Sequence, residues 1–102
     1  MAAQTVHHDE GRRIRELANN PSTRFLYRKH AQEEMRNDHI SKLDVLYVLR
    51  RGSVVRVEQS LGDETWNVRG SDGDGRRLEI VVVAYEDRVR VKVITAWARK
   101  AS

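Results

Sequence analysis

The spacing of apolar residues changes once along this chain, from a helical period to a twofold one. From Asp9 to Asn19 the period is helical: Ile14, Leu17 and Ala18 share one face, and Arg12, Arg13 and Arg15 lie outside it. Asn19-Asn20-Pro21 stops that helix. A short extended piece follows over Thr23–Tyr27, with Phe25 and Tyr27 alternating, and a second helix is expected over Lys29–Asn37. Ile40-Ser41 opens a third. Ser41 is the expected N-cap, and Asp44 three residues later completes an S-x-x-D capping signal. Leu43, Leu46, Tyr47 and Leu49 are read as its apolar face. Gly52 ends it, with Arg50 and Arg51 in the last turn, where positive charge suits the helix dipole.

After Gly52 the pattern is that of strands. Val54–Gln59 is the first, closed by the turn Ser60-Leu61-Gly62-Asp63. Glu64–Arg69 is the second, with Trp66 and Val68 facing opposite to Thr65, Asn67 and Arg69. Ser71-Asp72-Gly73-Asp74-Gly75 is a loop. Arg76–Tyr85 is the third strand, and its centre, Ile80–Ala84, is apolar on both faces, as an interior strand requires. Glu86-Asp87 turns the chain into Val89–Trp97, where Val89, Val91, Val93, Thr95 and Trp97 are placed on one face and Arg90, Lys92 and Ile94 on the other. Helices followed by strands with short turns predict an α+β fold, the N-terminal helices packed on a C-terminal antiparallel meander. The simplest packing lays the helices on one sheet face and leaves part of the other open and cationic. Leu46, Leu49, Ile80, Val82, Val91 and Val93 are the expected core, and the short Phe25–Tyr27 piece is expected at a sheet edge or against a meander strand.

Composition narrows the setting. The chain has 102 residues, read as one domain over residues 1–102, and the first eight are expected to be flexible. It has no cysteine, which excludes disulfides and thiolate metal sites. No apolar run approaches the roughly 20 residues that span a bilayer, and Met1–Asp9 lacks a charged start followed by an apolar core, so neither membrane nor signal peptide is expected. A cytoplasmic location is the corresponding expectation. Lys plus Arg number 19 against 15 Asp plus Glu, a net charge of +4 dominated by arginine. Guanidinium pairs with phosphate in a fixed bidentate geometry, so the balance suggests a polyanionic partner such as nucleic acid, with plain solubility as the alternative.

Candidate chemistry is sparse. His7-His8-Asp9-Glu10 has the composition of a metal site but not the spacing, since adjacent residues on a helix or strand do not converge on one ion; no metal or cofactor is predicted. His39 reads as a loop residue. His30 stands where the short strand enters the second helix, behind Arg28 and Lys29, whose charge lowers an imidazole pKa and favours a base near neutrality. The alternative for it is a histidine satisfied by backbone at a helix start. The sheet is expected to carry Arg56, Arg69, Arg76, Arg77, Arg88, Arg90 and Lys92, and their alternation makes a cationic face plausible, with a plain solvated face as the alternative. The Asp-Gly loop lacks the lysine and helix of a phosphate cradle, and no carboxylate follows at EF-hand spacing. No nucleophile elbow is present.

The run Arg28-Lys29-His30-Ala31-Gln32-Glu33-Glu34-Met35, then His39-Ile40-Ser41, a helix ending Leu49-Arg50-Arg51-Gly52, and a final strand with Val93-Ile94-Thr95 resembles a bacterial domain family of unknown function over about Arg24–Trp97. That family in turn resembles the RelE, BrnT and MqsR toxins of type II toxin–antitoxin systems, with MqsR closest in layout through its extra N-terminal helix. The resemblance implies a RelE/MqsR-like microbial ribonuclease fold and a metal-independent endoribonuclease acting on mRNA. It also implies a tightly bound antitoxin as partner. Residue by residue it places a basic group on the first meander strand at Arg56, and an amide after Trp66 at Asn67, one carbon shorter than the toxins' glutamine. Arg77 stands where they carry a tyrosine, and Trp97 or Arg99 near their final lysine. Glu34 departs from the arginine that usually precedes the family's methionine. The expected catalytic set is therefore Arg56, Asn67, Arg77 and His30, with Tyr85 as a second proton-transfer group. Arg69, Arg76, Arg90, Lys92 and Arg99 are the expected RNA contacts. A non-catalytic RNA-binding module and a protein-interaction module of the same fold are the competing readings.

Overall fold

The structure, a computed structural model, describes residues 7–100. Of the segment 1–8 expected to be flexible, residues 1–6 lie outside the described ones, and His8 already opens a helix. The order is α1 (His8–Asn19), β1 (Arg24–Tyr27), α2 (Lys29–Asn37), α3 (Lys42–Arg51), β2 (Ser53–Ser60), β3 (Asp63–Ser71), β4 (Arg77–Tyr85), a 3-10 turn (Glu86–Arg88) and β5 (Arg90–Ala98). The fold is α+β. Ser41 caps α3 through its side chain, and Asp44 returns the bond to the Ser41 backbone, so the capping box forms.

The meander pairs as consecutive antiparallel neighbours, β2 with β3, β3 with β4 and β4 with β5. β1 joins at the β5 edge but runs parallel to it, Arg24 opposite Arg90 and Tyr27 opposite Val93, so the sheet is mixed, in the order β1-β5-β4-β3-β2. Beyond β1, α2 covers the same edge. Carboxylates of Glu34 and Asp38 accept from the Ala96 and Ala98 backbone N–H groups, at 3.4 and 2.9 Å, and the Thr95 hydroxyl donates to Glu34. Part of an edge that would otherwise template further pairing is thereby closed.

All three helices feed one core: Ile14, Leu17 and Ala18 from α1, Ala31 and Met35 from α2, Val45, Val48 and Leu49 from α3. They meet Val54, Trp66, Val68, Leu78, Ile80, Val82, Val91, Val93 and Ala96 of the sheet. Of the face expected for α3, Leu49 is buried, Leu46 only partly, and Leu43 and Tyr47 are exposed; Val45 and Val48 take the other core places. Close approach decides this. A Cβ built on Gly70 of β3 would lie 3.3 Å from a Val48 methyl, and one on Gly52 would lie 2.6 Å from the Arg69 carbonyl oxygen. The helix thus approaches the sheet most closely at Val48 and Gly52.

Two β-bulges reset which residues face which way. On β2 the register runs Val54↔Val68 and then Arg56↔Asn67, so Val55 is the extra residue and Arg56 leaves the side that Val54 occupies. On β5 it runs Val93↔Val82 and then Thr95↔Val81, so Ile94 is extra. Thr95 and Trp97, expected on the Val93 side, therefore share the opposite face with Arg90 and Lys92, and Ala96 takes the core position. Val89, expected as the first residue of this strand, lies just before it with left-handed backbone, φ 50°.

Candidate nucleic-acid interface

No helix of the described residues packs on the second sheet face. Register places on it Arg56 of β2, Thr65, Asn67 and Arg69 of β3, Arg77, Glu79, Val81, Val83 and Tyr85 of β4, and Arg90, Lys92 and Trp97 of β5. At its centre, Glu79 is buried although it belongs to the outer face, at 5% exposure. Its carboxylate accepts from Asn67 Nδ2 at 2.7 Å and from Arg69 Nε at 2.6 Å, and Arg99 Nε lies 3.9 Å away. A buried carboxylate needs such partners, because desolvation without them costs several kcal/mol. In turn it fixes the orientation of Arg69 and Asn67.

Next to this network is a pocket of about 280 Å³ at the end of the sheet where β4 begins and β5 ends. It is lined by Ser53, Arg69, Gly70, Ser71, Arg77, Leu78 and Arg99. The Arg99 backbone N–H donates to the Arg77 carbonyl at 2.7 Å, which holds the two arginines side by side. Three arginines and two serines thus surround one concavity, with the Arg69 guanidinium already paired to Glu79. Trp97, directly opposite Glu79 on β5, is half-buried beside it.

The expected site residues are thus partly assembled. Arg69, Arg77 and Arg99 line the pocket, and Arg56 stands opposite Asn67 on the same face, its Nε 3.7 Å from Glu58. Arg90 and Lys92 lie toward the other end of that face. Arg90 is opposite Tyr85, its Nε buried without a hydrogen-bond partner among the described residues, and the Lys92 ammonium sits 5.7 Å from the Tyr85 ring.

His30 does not line this pocket. It opens α2 beside the β5 edge, its side chain 68% exposed, with Nε2 3.4 Å from Glu34. Arg76, expected as an RNA contact, is instead a clasp between two loops. It donates to Asp72 at 2.8 Å and to the Asp38 and His39 carbonyls at 2.7 and 3.0 Å. Burial pushes the Asp72 carboxyl up, but the Arg76 guanidinium and the backbone N–H groups of Arg76 and Asp74 outweigh it and hold the carboxyl below its ordinary range. Arg88 belongs to the 3-10 turn, not to a strand. Among the described residues no three His, Asp or Glu side chains gather as a metal site would require, and no helix is long and apolar enough to cross a membrane.

Glu79 is the residue that sequence reasoning missed, and Trp97, named only as an alternative to Arg99, was placed on the wrong face. Glu79 lies between Leu78 and Ile80 in the most apolar strand, and a lone carboxylate there signals a buried ion with partners. Trp97 carried no such signal, because a bulge decides its face.

The architecture defines a small α+β protein with helices on one side of a mixed sheet and an arginine-rich surface on the other. The chain belongs to a domain family described as a domain of unknown function (DUF4258), whose profile matches residues 27–98. No curated protein and no solved structure matches the chain.

Proposed function

We propose that the open sheet face binds single-stranded RNA, and that the protein is the metal-independent, mRNA-cleaving toxin of a type II toxin–antitoxin pair, with RelE/MqsR-like architecture. The observation that carries the reading is the pocket in which Arg69, Arg77 and Arg99 converge beside Trp97 and the buried Glu79. Phosphate is the group that such a guanidinium cluster suits, and an aromatic ring at its side offers a stacking surface for a base, worth about 1–3 kcal/mol per base. A duplex presents no unstacked base to that ring.

Cleavage through the 2′-hydroxyl needs a base for its proton, cationic stabilisation of the phosphorane, and a proton for the departing 5′-oxygen. Arg69, Arg77 and Arg99 would supply the charge. Arg56 and Asn67 would orient the strand. Glu79 is the carboxylate beside the pocket, and it would take the proton, in place of the more distant His30. The 5′-oxygen would take its proton from water, leaving a 2′,3′-cyclic phosphate and a 5′-hydroxyl.

A non-catalytic RNA-binding role is the second reading, and one observation favours it: both Glu79 oxygens already accept hydrogen bonds from Asn67 and Arg69. The experiment is incubation of the purified protein with single-stranded RNA in chelator, followed by analysis of product ends. Cyclic-phosphate ends that disappear with Arg77→Ala support the toxin reading. Salt-sensitive binding without cleavage supports the second, and no binding at low salt refutes both.

A further inference from the structure

Helix α3 carries two apolar stripes, and the core uses one. Val45, Val48 and Leu49 are fully buried. Leu43, at 77% exposure, Tyr47, at 39%, and the partly buried Leu46 point away from the sheet. A single exposed leucine means little. These three, however, fall at helical i, i+3 and i+4 positions and line one groove of about 310 Å³, together with Asn19 of α1 and Arg50 and Arg51.

The groove has a definite charge. The Arg51 guanidinium stacks on the Tyr47 ring at 4.2 Å, and Arg50 is held across the groove end by donating to the Ala18 carbonyl at 2.9 Å. None of its lining residues is acidic. Asp44, the one acidic residue of α3, is engaged by Ser41 and lies 3.5 Å from Arg76. The floor is therefore apolar and the only charges in the lining are cationic, beside the neutral Asn19, with both arginines pre-positioned by contacts inside the protein.

We propose that this groove docks an acidic amphipathic helix of a partner protein. Apolar side chains at i, i+3 or i+4 and i+7 would fill the Leu43–Leu46–Tyr47 floor, and carboxylates on the flanking positions would meet Arg50 and Arg51. RNA is the poorer occupant, because three of the six lining residues present apolar or aromatic surface and the two cations sit at one end. α3 packs on the core side of the sheet, so the groove opens away from Arg69, Arg77 and Arg99. A partner seated there leaves the arginine pocket accessible. The inference is independent of what the sheet face binds.

The probe is a fluorescein-labelled synthetic helix of about five turns, leucine on one stripe and glutamate elsewhere, titrated against the full chain. Backbone amide resonances are followed in parallel. The expected result is saturable binding with shifts at Leu43, Leu46, Tyr47, Arg50 and Arg51. The Leu43→Ser/Tyr47→Ser double variant should weaken binding at least about tenfold, equivalent to about 1.4 kcal/mol. Arg51→Glu should weaken it similarly and gain binding to the same peptide carrying lysine for glutamate. All these side chains are at least partly exposed, and thermal melts of the variants would check that they fold. No binding up to about 1 mM, shifts at Arg69 and Arg77 in place of α3, or binding indifferent to both variants would overturn the proposal. Self-association abolished by Leu43→Ser would also overturn it, by assigning the groove to a second copy of the chain.

Discussion

Among single residues, Glu79 and Arg76 show how charge is divided between function and framework. Glu79→Gln keeps the shape and an acceptor for Asn67 but removes a negative charge from beneath the arginine pocket. RNA binding should hold or tighten while any cleavage collapses, which separates a proton-transfer role from a merely orienting one; gel shift and cleavage assays on the same preparation read both. For Asp72 the depressed carboxyl pKa gives a signed expectation. A group more acidic in the folded than in the unfolded state stabilises the fold above its unfolded value, the ordinary 3.8, and loses that contribution as pH falls through the folded value. Denaturant midpoints followed from about pH 6 down to about pH 2.5 should fall more steeply for the natural chain than for Asp72→Asn. Gly52 is a third such residue. Its Cβ would lie 2.6 Å from the Arg69 carbonyl oxygen and 2.8 Å from that of Val48, both backbone atoms that cannot swing aside. Gly52→Ala should cost about 1–3 kcal/mol by overpacking, measured as a shift in denaturant midpoint.

At the level of elements, the periodicities gave the type and order of all three helices and of the meander, because each amphipathic segment has one spacing to satisfy. Three features were not legible, each for a physical reason. α3 has apolar residues on both stripes, and only the close approach of Gly52 and Gly70 selects Val45, Val48 and Leu49. The parallel direction of β1 is set by where its partner strand lies, not by Phe25 and Tyr27 themselves. The bulges at Val55 and Ile94 break an alternation that local pattern cannot correct. Alternation along the strands was enough to place Asn67, Arg69 and Arg77 on one face. Arg76 and His30 lie elsewhere, because Arg76 found loop carbonyls and His30 was carried to the β5 edge by α2. The bulge reading has its own test. Deleting Ile94 removes the extra residue and leaves every later side chain of β5 on its present face, so the variant should fold. Deleting Val81 from β4, which lies opposite the bulge but itself carries no extra residue, throws one half of that strand onto the wrong face and should abolish folding. Circular dichroism and Trp fluorescence distinguish the two. Ser41→Ala, which removes the α3 cap, should cost about 1 kcal/mol.

For the molecule as a whole, the open face predicts how RNA affinity responds to salt. If several arginines on it neutralise phosphates, the logarithm of the binding constant should fall linearly with the logarithm of salt concentration. Arg77→Ala should reduce that slope by roughly one, the share of a single phosphate contact. An equal slope for both chains would place the bound RNA elsewhere. The parallel strand has a separate consequence, for the order of events in folding. Hairpin-like pairs of the meander can form from neighbouring segments, but β1 must find β5 by joining residues 24 and 90. Contacts between segments so distant in sequence incur their loop-closure entropy before any pairing energy returns. Docking of the Arg24–Tyr27 strand therefore belongs after the main barrier. Truncating Phe25 should speed unfolding and leave the refolding rate nearly unchanged, so that the lifetime of the native state is governed by a four-residue strand.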